Sequence, residues 1–219
     1  MAVDFIATAA VTWIHDNGGA APSSTRTIPS ADAVFLCCVM TSGTNDTVDS
    51  TIAGASPTIS YQTAAGGNKV YLAMYVGAAS GDQTVAFSGA DSNDDWSCGL
   101  RGVDGGDLTT PWDNQVTDGE GTDETIDITT TSDGLAVGLL CCSVDPATSV
   151  STADTEVMET PINSATRAVA VASAPGTGSA VTVNWTGTGL VILGVNFRIA
   201  AAGGGISIPV VYHHRQRNF

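Results

Sequence analysis

Two stretches decide how this chain is read. They are Ala33-Val34-Phe35-Leu36-Cys37-Cys38-Val39-Met40 and Leu135-Ala136-Val137-Gly138-Leu139-Leu140-Cys141-Cys142-Ser143-Val144. Each is a continuous apolar run bounded by turn signals, with the length of a buried strand rather than a helix. Each is followed by a polar stretch, a hairpin-like pair and a last strand-like run. In the first half these are residues 70–76, 81–89 and 96–103; in the second they are 167–172, 178–187 and 190–199. The order repeats at an offset of roughly 100 residues, and two copies are too few for a solenoid. The expectation is an all-β chain: one antiparallel β-sandwich, jelly-roll-like, made of two similar halves at about 30–103 and 125–199.

The remaining sequence fits around these runs. Residues 2–14 read as an opening strand, and Asn17-Gly18-Gly19 with Pro22-Ser23-Ser24 as a loop. Residues 48–61 read as two short strands or a bulged one, because Gly54 and Pro57 interrupt them. Residues 104–124 read as the longest loop. Residues 145–165 read as a polar loop with one short strand near Glu156-Val157-Met158. No long segment free of Gly and Pro keeps the apolar spacing of a helix. The sandwich is expected over 1–199, and a Gly-rich hinge with an extended arm over 200–219.

Composition narrows the function classes. Hydrophobic residues make up 43% of the 219 and charged residues 13%, which excludes a disordered chain. The net charge is −15 with seven Lys+Arg, too few cations to neutralise a run of phosphates, so no nucleic-acid partner is expected. No apolar stretch reaches the length of a membrane span, so no membrane partner is expected either. The start, Met1-Ala2-Val3-Asp4-Phe5-Ile6, has neither a basic lead nor an apolar core, so synthesis in a host cytoplasm without a signal peptide is expected.

Five cysteines, four of them in vicinal pairs, make a poor disulfide framework. Neighbours on a strand point to opposite faces, and the simplest reading is small buried hydrophobes. No Cys/His set has zinc spacing. His15, His213 and His214 are the only histidines, and no Gly-x-Ser-x-Gly elbow occurs. The acids sit in loops, where solvated turns are the ordinary role, so no enzyme and no cofactor are expected. One cation remains open. Asp91, Asn93 and Asp95 offer hard oxygens at alternating positions, which Ca2+ accepts, although the EF-hand pattern fails and a solvated turn is the competing reading. The acids Asp113, Asp118, Glu120, Asp123 and Glu124 carry the same two readings. Trp96 and Trp112, with Tyr61, are candidates for a sugar platform, against packing in or over the end of the sandwich. Trp13 and Trp185 are assigned to packing.

The tail differs from the body. After Ala200-Ala201-Ala202-Gly203-Gly204-Gly205 comes an extended Ile206–Tyr212 segment, then His213, His214, Arg215, Gln216, Arg217, Asn218 and Phe219. A basic arm on an acidic body suggests docking on another subunit by strand addition, through Ile208, Val210, Tyr212, His213, His214, Arg215, Arg217 and Phe219. The competing reading is a frayed or tag-like terminus.

The segments Leu100-Arg101-Gly102-Val103-Asp104, Thr109-Thr110-Pro111-Trp112-Asp113 and Ile126–Val137, with its Thr-Thr-x-Asp-Gly turn at 130–134, are the most family-like. Over about residues 30–199 the chain resembles a recurrent β-sandwich module of bacteriophage virion proteins and large bacterial surface proteins. It departs from that pattern in its Cys-Cys pairs and in the insertion Gly105-Gly106. The tail is similar to the termini of small phage structural proteins. The resemblance implies a virion structural protein without catalysis: a capsid decoration, head-fibre or tail-associated subunit whose partners are other virion proteins or copies of itself. The alternative is a carbohydrate-binding module of a phage or bacterial adhesin, using Trp96 and Trp112.

Overall fold

The computed structural model describes residues 4–6, 11–16, 21–41, 47–65, 68–89, 95–118, 125–142, 155–162, 167–184 and 191–198. These contain sixteen strands and no helix. In the first half they are β1 (Asp4–Phe5), β2 (Val11–Asp16), β3 (Ser23–Ile28), β4 (Ala33–Thr41), β5 (Asp49–Ile52), β6 (Ile59–Ala65), β7 (Asn68–Val76), β8 (Gly81–Ser88) and β9 (Asp95–Asp104). In the second they are β10 (Trp112–Asp118), β11 (Thr125–Thr129), β12 (Leu135–Cys142), β13 (Thr155–Ile162), β14 (Arg167–Pro175), β15 (Ala180–Asn184) and β16 (Val191–Phe197). All pairings are antiparallel.

The strands form two large and two small sheets. One large sheet has the order β1-β9-β4-β7-β6, with β2 also on β9; the other has β10-β16-β12-β14-β13. The small sheets are β3-β8-β5 and β11-β15. Taken along the chain, the two halves have the same strand order: β1, β3, β4, β6, β7, β8 and β9 correspond to β10, β11, β12, β13, β14, β15 and β16. Among the described residues, β2 and β5 have no counterpart.

Burial sorts the sheets into four layers. Phe35, Cys37 and Val39 of β4, with Leu72 and Met74 of β7, pack against Val137, Leu139, Val171, Val195 and Phe197 in a core shared by the two large sheets. The alternate residues Val34, Leu36, Cys38, Tyr71, Ala73 and Tyr75 point the other way, onto Ile28, Ile52, Val85 and Phe87 of the first small sheet. On the far side of the second large sheet, Gly194 lets Ile126 and Ile128 approach. A Cβ there would lie 2.5 Å from the Ile126 Cδ1 atom. Each half is thus a sandwich of its own, and the large sheets meet back to back. The single sandwich expected from the sequence is doubled, because β4 and β12 have no solvent face and each needs cover on both sides.

The seam is built from aromatic rings. Phe5 and Phe35 of the first half and Phe197 of the second make three edge-to-face contacts with centroids 5.6–5.7 Å apart. Trp112 stacks on Phe197, and the Arg101 guanidinium covers Phe5 at 5.3 Å. Across the seam, β6 and β7 touch β16, while their counterparts β13 and β14 touch β9, the counterpart of β16. Exchanging the halves preserves these contacts, as in an isologous interface.

Two readings are corrected. Residues 104–124 are not one long loop, since 112–118 form β10, and Ser23 and Ser24 open β3 rather than a turn. Both are polar edge strands that bury few side chains, so they carry no apolar run. The two Cys-Cys pairs do not stand at equivalent positions in the halves. The Gly77 N–H donates to the Asp32 carbonyl, and the Gly176 N–H donates to the Gly134 carbonyl. Ala33 therefore matches Leu135, and Cys37 matches Leu139 rather than Cys141. A slip of two residues keeps every side chain on its face, so sequence pattern alone does not detect it.

Phe197→Ala is expected to destabilise the chain by about 3–5 kcal/mol, as loss of a fully buried ring does. Because the core is shared, urea unfolding followed by circular dichroism and by tryptophan fluorescence should give one coincident transition. Two separated transitions would contradict a common core.

Candidate functional site

Trp96 and Trp112, the sugar-platform candidates, are 0% and 1% exposed. Trp96 opens the buried side of β9 and packs on Phe87 with centroids 5.5 Å apart. Trp112 opens β10 inside the shared core. Neither indole presents a face to a ligand, which corrects that assignment: each ring packs on a buried phenylalanine. Tyr61 is half-buried against the shared core.

The calcium candidates Asp91 and Asn93 lie outside the described residues. So does the side chain of Asp95, whose backbone begins β9. Among the described residues no three His, Cys, Asp or Glu side chains converge as a metal set. Asp118, Glu120, Asp123 and Glu124, the side chain of His15, and the arm residues Ile208, Val210, Tyr212, His213, His214, Arg215, Arg217 and Phe219 also lie outside the described side chains.

Several of the described carboxylates accept from backbone N–H groups. Asp104 accepts from the Asp32 N–H at 3.0 Å, and Asp32 accepts from the Gly105 N–H at 2.9 Å, a reciprocal pair that ties the start of β4 to the end of β9. The local turn is made by Asp107, which accepts from the Thr109 and Thr110 N–H groups at 2.8 and 3.0 Å. Those two bonds hold its carboxyl below the usual range. Asp113 accepts from the Asn196 amide at 2.9 Å and lies 3.7 Å from Arg198. A cavity of about 230 Å³ opens at the seam, lined by Asp4, the turn Ser132-Asp133-Gly134, Leu135, Pro175 and Gly176.

The buried polar centre is a hydroxyl cluster. Ser50 on β5 lies 2.7 Å from the Tyr71 hydroxyl and 2.6 Å from that of Tyr75, both on β7. It pins the short edge strand β5 to the large sheet. Burial pushes Tyr71 up to about 12 and raises Tyr75 further. Burial likewise pushes Cys37 up to about 12 and raises Cys38 and Cys98. These thiols stay protonated, as packing groups do; Cys37 faces the shared core and Cys38 the outer layer, as expected for strand neighbours.

Among the described residues the halves differ in their small sheets, a difference that sequence reasoning missed. β8 is paired on both edges, by β3 and β5, whereas β15 has only β11 among the described strands. The signal was present: the second half has no evident copy of the Val48–Ile52 pattern, in which Val48, Ser50 and Ile52 alternate inward.

Comparison with family models, with curated proteins and with solved structures finds no match to this chain.

Ser50→Ala leaves two buried phenol groups short of a partner and is expected to cost about 1–3 kcal/mol in chemical denaturation. Above neutrality, the raised groups favour the protonated native state. The unfolded chain loses protons first, from the ordinary thiol and phenol values of 9.0 and 10.0. Stability should therefore fall as pH rises from about 9 toward 12. A flat profile across that window would contradict the burial of these groups.

Proposed function

We propose that this chain is a bacteriophage virion structural protein, a capsid decoration, head-fibre or tail-associated subunit that works by assembly and not by catalysis. The observation that carries this reading is the division of the chain into a body and an arm of opposite charge. All 22 acidic residues precede Gly203, and the arm beyond it carries Arg215 and Arg217 with no acid. The body commits its described large aromatics to internal packing. Its partners on this reading are other virion proteins or copies of itself, and it resides in the virion after synthesis in the host cytoplasm.

The fold adds support by analogy. The order β2-β9-β4-β7 against β3-β8-β5 supports reading the first half as a jelly roll with its remaining strand, β6, on the large sheet. We read each half as such a variant and the pair as the product of duplication. Jelly rolls recur in viral capsid and lectin domains, so fold alone leaves both classes open. The burial of Trp96 and Trp112 removes the side chains on which the sugar-binding alternative rested.

Size-exclusion chromatography with light scattering on the full chain and on a version ending at Ala202 tests the proposal. A defined oligomer that becomes monomeric on truncation is the expected result. Monomers in both cases, together with no binding to arm-depleted virions, would overturn it.

A further inference from the structure

We propose that Cys38 and Cys98 form a cross-strand disulfide site, which a small-molecule disulfide closes to staple β4 to β9. The two cysteines stand directly opposite each other, Cys38 on β4 and Cys98 on β9.

Hydrogen-bond phase decides whether such a pair can be bridged. The Ile6 N–H donates to the Gly102 carbonyl. Paired and unpaired positions alternate in an antiparallel ladder, so even-numbered residues of β9 turn their main-chain groups to β1 and β2, and odd-numbered ones to β4. The phase of β4 agrees independently. The Gly77 N–H donates to the Asp32 carbonyl, so even-numbered residues of β4 turn to β7 and odd-numbered ones to β9. Cys37 and Gly99 are therefore a hydrogen-bonded pair, and Cys38 and Cys98 a non-hydrogen-bonded one. In a pair of that second kind the Cα atoms stand about 4.5 Å apart and the side chains are at their closest. A disulfide spans Cα separations of about 4.4–6.8 Å. Both cysteines also face the same layer, the one beneath β3-β8-β5.

Among the described pairings, no other sets two cysteines face to face. In backbone register Cys37 stands opposite Gly99 and Leu72, Cys141 opposite Val169 and Val191, and Cys142 opposite Ala168. Cys98, the cysteine outside the two vicinal pairs, is thus the one that completes a bridge. The surrounding charges favour exchange. Burial raises both thiols, while the Lys69 charge acts to lower Cys38 and the Arg26 charge to lower Cys98. In the closed layer burial outweighs these cations, and with both residues 0% exposed the site is held as two thiols. When water reaches the layer the burial is relieved and the cations remain, which favours the thiolate, the reactive form. Exchange therefore occurs while β4 and β9 pair during folding, or when β3-β8-β5 opens.

Oxidised glutathione serves as the oxidant. One cysteine thiolate attacks a glutathione sulfur, forms a mixed disulfide and expels a glutathione thiolate. The second cysteine thiolate attacks the protein sulfur of that mixed disulfide and expels the other glutathione. The two cysteines give up two electrons and two protons, and one glutathione disulfide becomes two thiols. The new bond closes the chain from 38 to 98, which restricts the unfolded state and ties the doubly buried β4 to its neighbour.

Refolding the full chain from urea in a glutathione redox buffer, then alkylating it and mapping its peptides without reduction, tests the proposal. A second sample is kept folded in the same buffer. The expected result is an intramolecular Cys38–Cys98 bond after refolding, a slower gain of the same bond in the folded sample, and a urea midpoint raised by about 1 M that dithiothreitol returns to the reduced value. Cys37→Ala should keep the bond, and Cys98→Ala should lose both the bond and the shift. Recovery of all five cysteines as alkylated thiols after refolding would overturn the proposal, as would bonds confined to Cys37, Cys141 or Cys142 or running between chains. A Cys38–Cys98 bond that leaves the midpoint unchanged or lowers it would overturn the staple.

Discussion

A strand buried on both faces cannot alternate apolar and polar residues, and this constraint organises the molecule. β4 lies in the middle of one large sheet, with the second large sheet on one side and β3-β8-β5 on the other. Every residue from Ala33 to Val39 is then withdrawn from water, and only apolar or thiol side chains meet that demand cheaply. β12 meets the same demand from Leu135 to Leu139. The aromatic cluster follows from the same geometry. Where the large sheets meet at the ends of β4 and β16, Phe5, Phe35, Phe197 and Trp112 close the gap with ring contacts worth more than their area alone.

Legibility in the sequence tracks this constraint. The doubly buried runs were readable, and with them the all-β class, the strand order of each half and the opposite orientations of Cys37 and Cys38. β3 and β10 were not, because Ser23-Ser24-Thr25-Arg26-Thr27 and Asp113-Asn114-Gln115 carry the composition of a loop while lying at sheet edges. β10 is further disguised by an irregularity between Asp113 and Val116, where Asn114 adopts a positive φ of 52°. The number of layers was not readable either. An apolar run states that both faces are covered without stating what covers them.

The candidate site was less legible than the fold. Trp96 and Trp112 stand beside polar, acidic segments, and local composition made them surface candidates. Their burial is decided by Phe87 and Phe197, nine and 85 residues away along the chain. Ser50 is similar: in sequence it is one polar residue among Thr47, Asp49 and Thr51, and only the approach of β7 gives it two phenol partners. Pairings of this kind are tertiary, and period and propensity do not encode them.

Among the described residues the two halves differ in their outer sheets. Their shared core is similar in plan, since β6 and β7 touch β16 as β13 and β14 touch β9, although β7 also meets β12 and β13 meets β2. A change on one side of that seam disturbs the packing of the other, because a dense interior tolerates few independent adjustments. The outer small sheets carry no such coupling. There the first half has β5 clasped by Tyr71 and Tyr75, and the second pairs β15 with β11 alone among the described strands. Among the described residues, the difference between the halves therefore lies on their outer sheets, away from the core they share.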